Sequence, residues 1–161
     1  MDKKKIIISN SSKSIKKSSI NINTELFDSK KQISMINQLY LDETFIGKEE
    51  VKKALKKKLQ SYKAQDQRQK RYIEQDFITL DELKEKLVLS KLRCHYCYQA
   101  LVIMYNHIRE EKQWTLDRID NNLEHTSKNT VIACLKCNIQ RGRLCKNKFL
   151  FTKQFRLIKK Y

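Results

Sequence analysis

The sequence predicts an α+β protein in which strongly basic helices lead into a small cysteine-stapled module. Three observations predict it. Apolar residues recur at helical spacing through residues 48–73, and again after a capping pattern at Thr79. Short β-branched and aromatic runs follow at 98–105, 113–119 and 131–133. Two CxxC pairs, Cys94-His95-Tyr96-Cys97 and Cys134-Leu135-Lys136-Cys137, bracket those runs.

In chain order, residues 1–45 read as a poorly ordered basic tail. Ser, Lys, Asn and Ile alternate there without a sustained period, as in Ser9-Asn10-Ser11-Ser12-Lys13-Ser14. Such composition buries too little apolar surface to offset its ordering entropy. A mitochondrial presequence is disfavoured, because those are rich in Arg and the first Arg here is Arg68. Residues 46–93 read as a helical, nucleic-acid-binding extension. Val51, Leu55, Leu59 and Tyr62 give its first helix a narrow apolar stripe, and Lys52, Lys53, Lys56, Lys57, Lys58 and Lys63 cover much of the rest. Lys52, Lys56 and Lys63 are the candidate phosphate contacts; a merely solvated face is the other reading. Thr79 with Glu82 forms a capping box ahead of Leu83, Leu87 and Leu92, so a second helix ends just before Cys94. Residues 94–161 form the stapled module, closed by a helix on which Phe149, Leu150, Phe155, Leu157 and Ile158 supply an apolar face.

Composition narrows the class. Among 161 residues, 35 Lys and Arg face 18 Asp and Glu, a formal net charge of +17. Polyanions are the default partners of such a chain, with nucleic acid ahead of an anionic membrane surface. A membrane span needs roughly 20 apolar residues, and the longest apolar runs, Ile6–Ile8 and Leu101–Met104, fall far short. No apolar core of secretory-signal length stands near the N-terminus, so an intracellular chain is expected. There is no Pro and only Gly47 and Gly142, so turns rely on residues such as Asn121 and Asn122.

In an intracellular chain, paired CxxC turns favour a metal over redox thiols or free buried pairs. Cys94, Cys97, Cys134 and Cys137 would complete a tetrahedral zinc site. Four protein ligands leave no open position, so this zinc is structural and any chemistry lies elsewhere. Cys145 reads as an ordinary small apolar residue.

Between the pairs runs Trp114-Thr115-Leu116-Asp117-Arg118-Ile119-Asp120-Asn121, then His125 and Asn129, with Asn138 directly after the second pair. Over residues 94–143 the chain resembles the HNH, or ββα-metal, endonucleases of large DNA viruses and phages. The resemblance implies an α+β fold with a zinc-stapled ββα-metal module, and phosphodiester hydrolysis in DNA with a divalent metal, most simply magnesium. It implies that Asp117 and Asn138 ligate the magnesium and that Asn129 fixes the loop between the strands. Magnesium suits that set, preferring oxygen donors and retaining several waters.

Many members of that family carry His after the metal-binding Asp, as general base. Here Arg118 stands there, and a guanidinium does not accept a proton. Arg118 suits phosphate binding instead, with Arg141 as a further nucleic-acid contact. The base would come from His125, Asp120 or a metal-bound hydroxide. The alternative is a catalytically inactive zinc module that binds nucleic acid, alone or within a ribonucleoprotein.

Overall fold

The computed structural model describes residues 24–155. A 3-10 turn at Thr24–Phe27 precedes α1 (Ser29–Tyr40), α2 (Lys48–Arg68) and α3 (Leu80–Leu89). Then come β1 (Trp114–Arg118), β2 (Thr130–Cys134), α4 (Leu135–Arg141) and α5 (Lys146–Gln154). The architecture is α+β: helices around a two-stranded antiparallel sheet, with β1, β2 and α4 forming a small ββα-like region. No helix among the described residues is long and apolar enough to cross a membrane.

The expected tail requires correction from residue 24 onward. Asp28 caps α1 by accepting from the Lys30 N–H, and Met35, Ile36 and Leu39 are buried. The pattern was hard to read because a polar residue, Gln32, occupies a core position. Its amide nitrogen donates to Leu26 O and Met104 O, each at 3.0 Å, and its oxygen accepts from the Ile103 and Met104 N–H groups. One fully satisfied side chain thus ties α1 to a segment some 70 residues away, and burial without those partners would be costly. Residues 1–23 of that expected tail lie outside the described residues, as do Leu157 and Ile158 of the closing helix.

Gly47 starts α2 at φ 88°, and a Cβ there would come within 2.3 Å of the Leu26 side chain. Conformation and space both require glycine. Val51 and Leu55 are buried while Lys53, Lys56 and Lys57 face solvent. The helix stops at Arg68, short of the expected residue 73. Lys70 takes a left-handed φ of 55° and the Arg71 N–H turns back to Asp66 O.

α2 runs along the free edge of β1. Lys58 Nζ donates to Trp114 O, Tyr62 Oη accepts from the Leu116 N–H at 3.0 Å, and Asp66 Oδ1 accepts from Arg118 at 3.1 Å. These rungs advance four residues along the helix, about 6 Å, and two along the strand, about 6.6 Å. The repeats match: Lys58 and Tyr62 satisfy backbone groups of a strand edge that would otherwise be open to another chain, and Asp66 continues the row to the Arg118 side chain.

The sheet register sets Trp114 opposite Cys134, Asp117 opposite Val131 and Arg118 opposite Thr130. The strand expected at 98–105 does not form. Its backbone groups bond instead to Gln32, to Leu92 and to the 112–114 stretch, leaving isolated bridges at Arg93–Ala100 and Val102–Gln113. α3 begins with the capping box of Thr79 and Glu82 and buries Leu83 and Leu87. In α5, Phe149 meets Tyr96 edge-to-face, ring centroids 5.0 Å apart, which fastens the closing helix to the first cysteine turn.

Candidate functional site

The cysteine cluster sits at the Trp114–Cys134 end of the hairpin. Cys94, Cys97, Cys134 and Cys137 bring their sulfurs within 4.8 Å of one another. Cys97 Sγ and Cys134 Sγ are 3.9 Å apart, against an edge of about 3.8 Å for a tetrahedron with 2.3 Å zinc–sulfur bonds. In each CxxC turn a backbone N–H points at the first sulfur: Tyr96 at Cys94, 3.4 Å, and Cys137 at Cys134, 3.3 Å. Such donors orient metal-bound thiolates. Hydrogen bonding from Cys134 holds the Cys94 thiol down at about 4, while the Cys134 thiol is driven up by Cys94 and by burial. Burial pushes Cys137 to about 12. Four sulfurs this close cannot all ionise without a cation between them, and a tetrahedral thiolate set is consistent with structural zinc. His95 and Cys145 stand outside the cluster, and Cys145 is exposed. The cations adjacent to the cysteine pairs in sequence have other partners: Arg93 bonds to Tyr98 O, Lys136 to Glu111 and Arg141 to Asp117.

At the other end of the hairpin opens a cavity of about 1010 Å³. Asp117, Arg118, His125, Asn138 and Arg141 all line it, together with Arg71, Asp120 and Arg143. Four guanidinium groups therefore face two carboxylates across one concave surface.

Asp117 is 4 % exposed. Its Oδ1 accepts from Arg141 at 2.7 Å and its Oδ2 accepts from the Tyr96 hydroxyl. Burial raises its pKa, and donation by Tyr96 and Arg141 does not fully offset that. Arg141 is equally buried, with NH2 on Ile119 O and Nε without a partner. Asn138, in the second turn of α4, donates from Nδ2 to Thr115 Oγ1 at 3.0 Å, which turns its amide toward β1. Asn129 does not line the cavity. It accepts from the Asp120 N–H and donates to Asp120 O and Glu124 O, closing the loop between the strands.

Arg118 uses NH1 for Asp66 and for Leu123 O. His125 is 2 % exposed and stacks on Tyr62, ring centroids 4.7 Å apart. Both its Nδ1 and its backbone N–H lie 2.8 Å from Asp66 Oδ2. Asp66 in turn holds Arg71 at 3.0 Å. Burial alone would raise the Asp66 pKa, but the donors from His125 and Arg71 outweigh it and keep the carboxyl below its ordinary value. Burial lowers the His125 pKa more than Asp66 raises it, which favours the neutral imidazole.

The lysines of α2 lie apart from this cavity's walls. Lys56 is exposed and Lys52 half-buried, and Lys63 Nζ sits over the Tyr72 ring at 4.8 Å. Sequence reading missed Tyr62, Asp66, Arg71 and Tyr96. One signal was present: Asp66 is the only acid between Glu50 and Glu74. No protein-family model, no curated protein and no solved structure matches the chain.

Proposed function

We propose that the chain is a nuclease of the HNH kind, hydrolysing phosphodiester bonds in DNA with the help of a divalent metal. The observation that carries this reading is the cavity itself. It gathers Asp117, Arg118, His125 and Asn138 beside three further arginines, a set suited to grip a phosphate and stabilise charge developing on it. The net charge of +17 supports a polyanionic substrate.

Asp117 and Asn138 offer two oxygen donors on one wall, the donor type magnesium prefers. Arg141 already neutralises Asp117, so a metal there competes with Arg141 for Oδ1. When bound, the ion supplies charge stabilisation at the scissile phosphate and its leaving oxygen. Arg118 lines the cavity with NH1 held by Asp66 and Leu123 O, which aims a fixed charge at a phosphate there, and Asn129 keeps the 119–129 loop in register so that His125 stays on the cavity wall.

A second reading is a nucleic-acid-binding module without catalysis. It is favoured by the Arg141 and Tyr96 contacts that use both Asp117 oxygens, and by Arg118 standing where related nucleases place a histidine. A plasmid-nicking assay separates the two. The nuclease reading expects nicking in magnesium that EDTA suppresses and Asn138→Ala abolishes, with DNA affinity retained. DNA binding without nicking under any divalent metal overturns it.

A further inference from the structure

Helix α2 lies outside the cysteine-bracketed region, yet it places a buried carboxylate directly behind His125 of the cavity wall. Asp66 is 0 % exposed and makes two contacts with one residue, His125, through the backbone N–H and the ring Nδ1. Two contacts to one oxygen fix both the position and the rotation of the ring. Tyr62, one turn earlier on the same helix, packs against its face. The other Asp66 oxygen takes Arg71 and Arg118.

We propose that Asp66 is the positioning residue for His125, holding the imidazole as the Nδ1–H tautomer with Nε2 free toward the cavity, and that His125 is thereby the general base. This rests on the nuclease reading and supplies the base that Arg118 cannot be. A carboxylate fixing an imidazole through Nδ1–H is an established way to set its tautomer and stabilise the imidazolium that forms. The step balances as follows. Nε2 takes a proton from the attacking water, and the water oxygen bonds to phosphorus as the bond to the departing sugar oxygen breaks. Solvent protonates that oxygen, and the imidazolium returns its proton to solvent. The charged groups facing the ring are Asp66 from α2, Arg118 from β1 and Arg71 from the segment between α2 and α3. The arginines oppose its protonation and Asp66 favours it.

The first test needs no cleavage. The chain has three histidines, so long-range proton–nitrogen spectra of the full-length protein can resolve each ring. The expected result is His125 as the neutral Nδ1–H tautomer near pH 7; an Nε2–H tautomer overturns the proposal. The second test is the pH profile of nicking. The rate should fall on the acid side as His125 protonates. Asp66→Asn should lower kcat by as much as roughly 10⁴-fold, the loss seen when the carboxylate orienting a general-base imidazole becomes an amide, and move the acid limb to lower pH. Unchanged kcat and an unchanged limb overturn the proposal. Should Asp66→Asn not fold, His125→Ala decides instead. It should lose nicking with DNA affinity kept and regain part of it in added imidazole, and full activity without histidine overturns the proposal. A chain that never nicks removes the nuclease reading, and the tautomer then still decides whether Asp66 sets the ring.

Discussion

The two ends of one hairpin are held by different forces. At the Trp114–Cys134 end, four cysteines converge on a point where a single cation can bind them all. At the Arg118–Thr130 end, Asp117 and Asp66 are each buried against arginine, and no single group dominates. With a metal bound, the first arrangement would concentrate stability in one removable ion. The second distributes it over paired charges, where loss of one partner strands the other. The cysteine end is therefore suited to a scaffold and the cavity end to a site whose charges can be rearranged by a ligand.

The largest expected effect separates the ends most sharply. Structural zinc contributes on the order of 10 kcal/mol or more to small thiolate modules, more than the whole stability of many domains. Purified protein should carry about one zinc per chain by elemental analysis. Strong chelation should abolish the cooperative thermal transition, and Cys134→Ser should yield insoluble or disordered protein. Cys145→Ser, at an exposed cysteine outside the cluster, should leave the transition unmoved. A soluble, cooperatively melting Cys134→Ser chain without zinc would show that the cluster is not the staple.

Next comes a contrast within the cavity. Asp117→Ala leaves the Arg141 guanidinium buried without its carboxylate, which should cost about 3–5 kcal/mol. Asn138→Ala removes a half-buried amide bonded only to Thr115 Oγ1, and should cost about 1 kcal/mol. Both should abolish nicking, but only Asn138→Ala should do so with a nearly normal melting temperature. Equal destabilisation of the two variants in denaturant titrations would mean that Asp117 and Arg141 are not the buried pair holding this end together.

The difference between the ends also explains what could be read from the sequence. The cysteines come in pairs three residues apart, and few functions other than metal binding ask for that residue type at that spacing, so the cluster was legible at once. So was the capping box at Thr79, because its two partners are three residues apart. Asp66 and His125 are 59 positions apart, and nothing local marks Asp66 except its isolation in a basic helix. α1 was missed because Gln32 fills an apolar position and finds its partners at residues 103–104. The third strand was expected because residues 98–105 are apolar, but their backbone groups found side-chain and loop partners instead of a ladder. The matching rungs between α2 and β1 exist only once helix and strand repeats are laid side by side.

Those rungs yield a smaller effect. Tyr62→Phe keeps the ring against His125 and removes the acceptor of the Leu116 N–H. An unsatisfied N–H at a covered edge should cost about 1–3 kcal/mol. Amide exchange at Leu116 should quicken in step with that loss. Protection at Leu116 equal to that of the unaltered protein would mean that the edge is satisfied without Tyr62.

The smallest effect on stability falls on a flank of the same helix, where binding is expected to respond instead. Lys52, Lys56 and Lys63 are four and seven residues apart, so their Cα positions fall within about 40° around the helix axis. They form one row flanking the buried stripe of Val51 and Leu55. Replacing all three by Gln keeps helix propensity and should change stability by less than about 0.5 kcal/mol per site, as surface substitutions usually do. Each phosphate contact on duplex DNA adds roughly 0.9 to the slope of log affinity against log salt, so the triple variant should lose up to about 2.7 of that slope. Lys63 is the informative single change, because its ammonium already lies over Tyr72. If that contact holds it away from DNA, Lys63→Gln alone leaves the slope unchanged while Lys52→Gln and Lys56→Gln each lower it. An unchanged slope in the triple variant removes this row from the interface and leaves the four arginines of the cavity as the phosphate contacts.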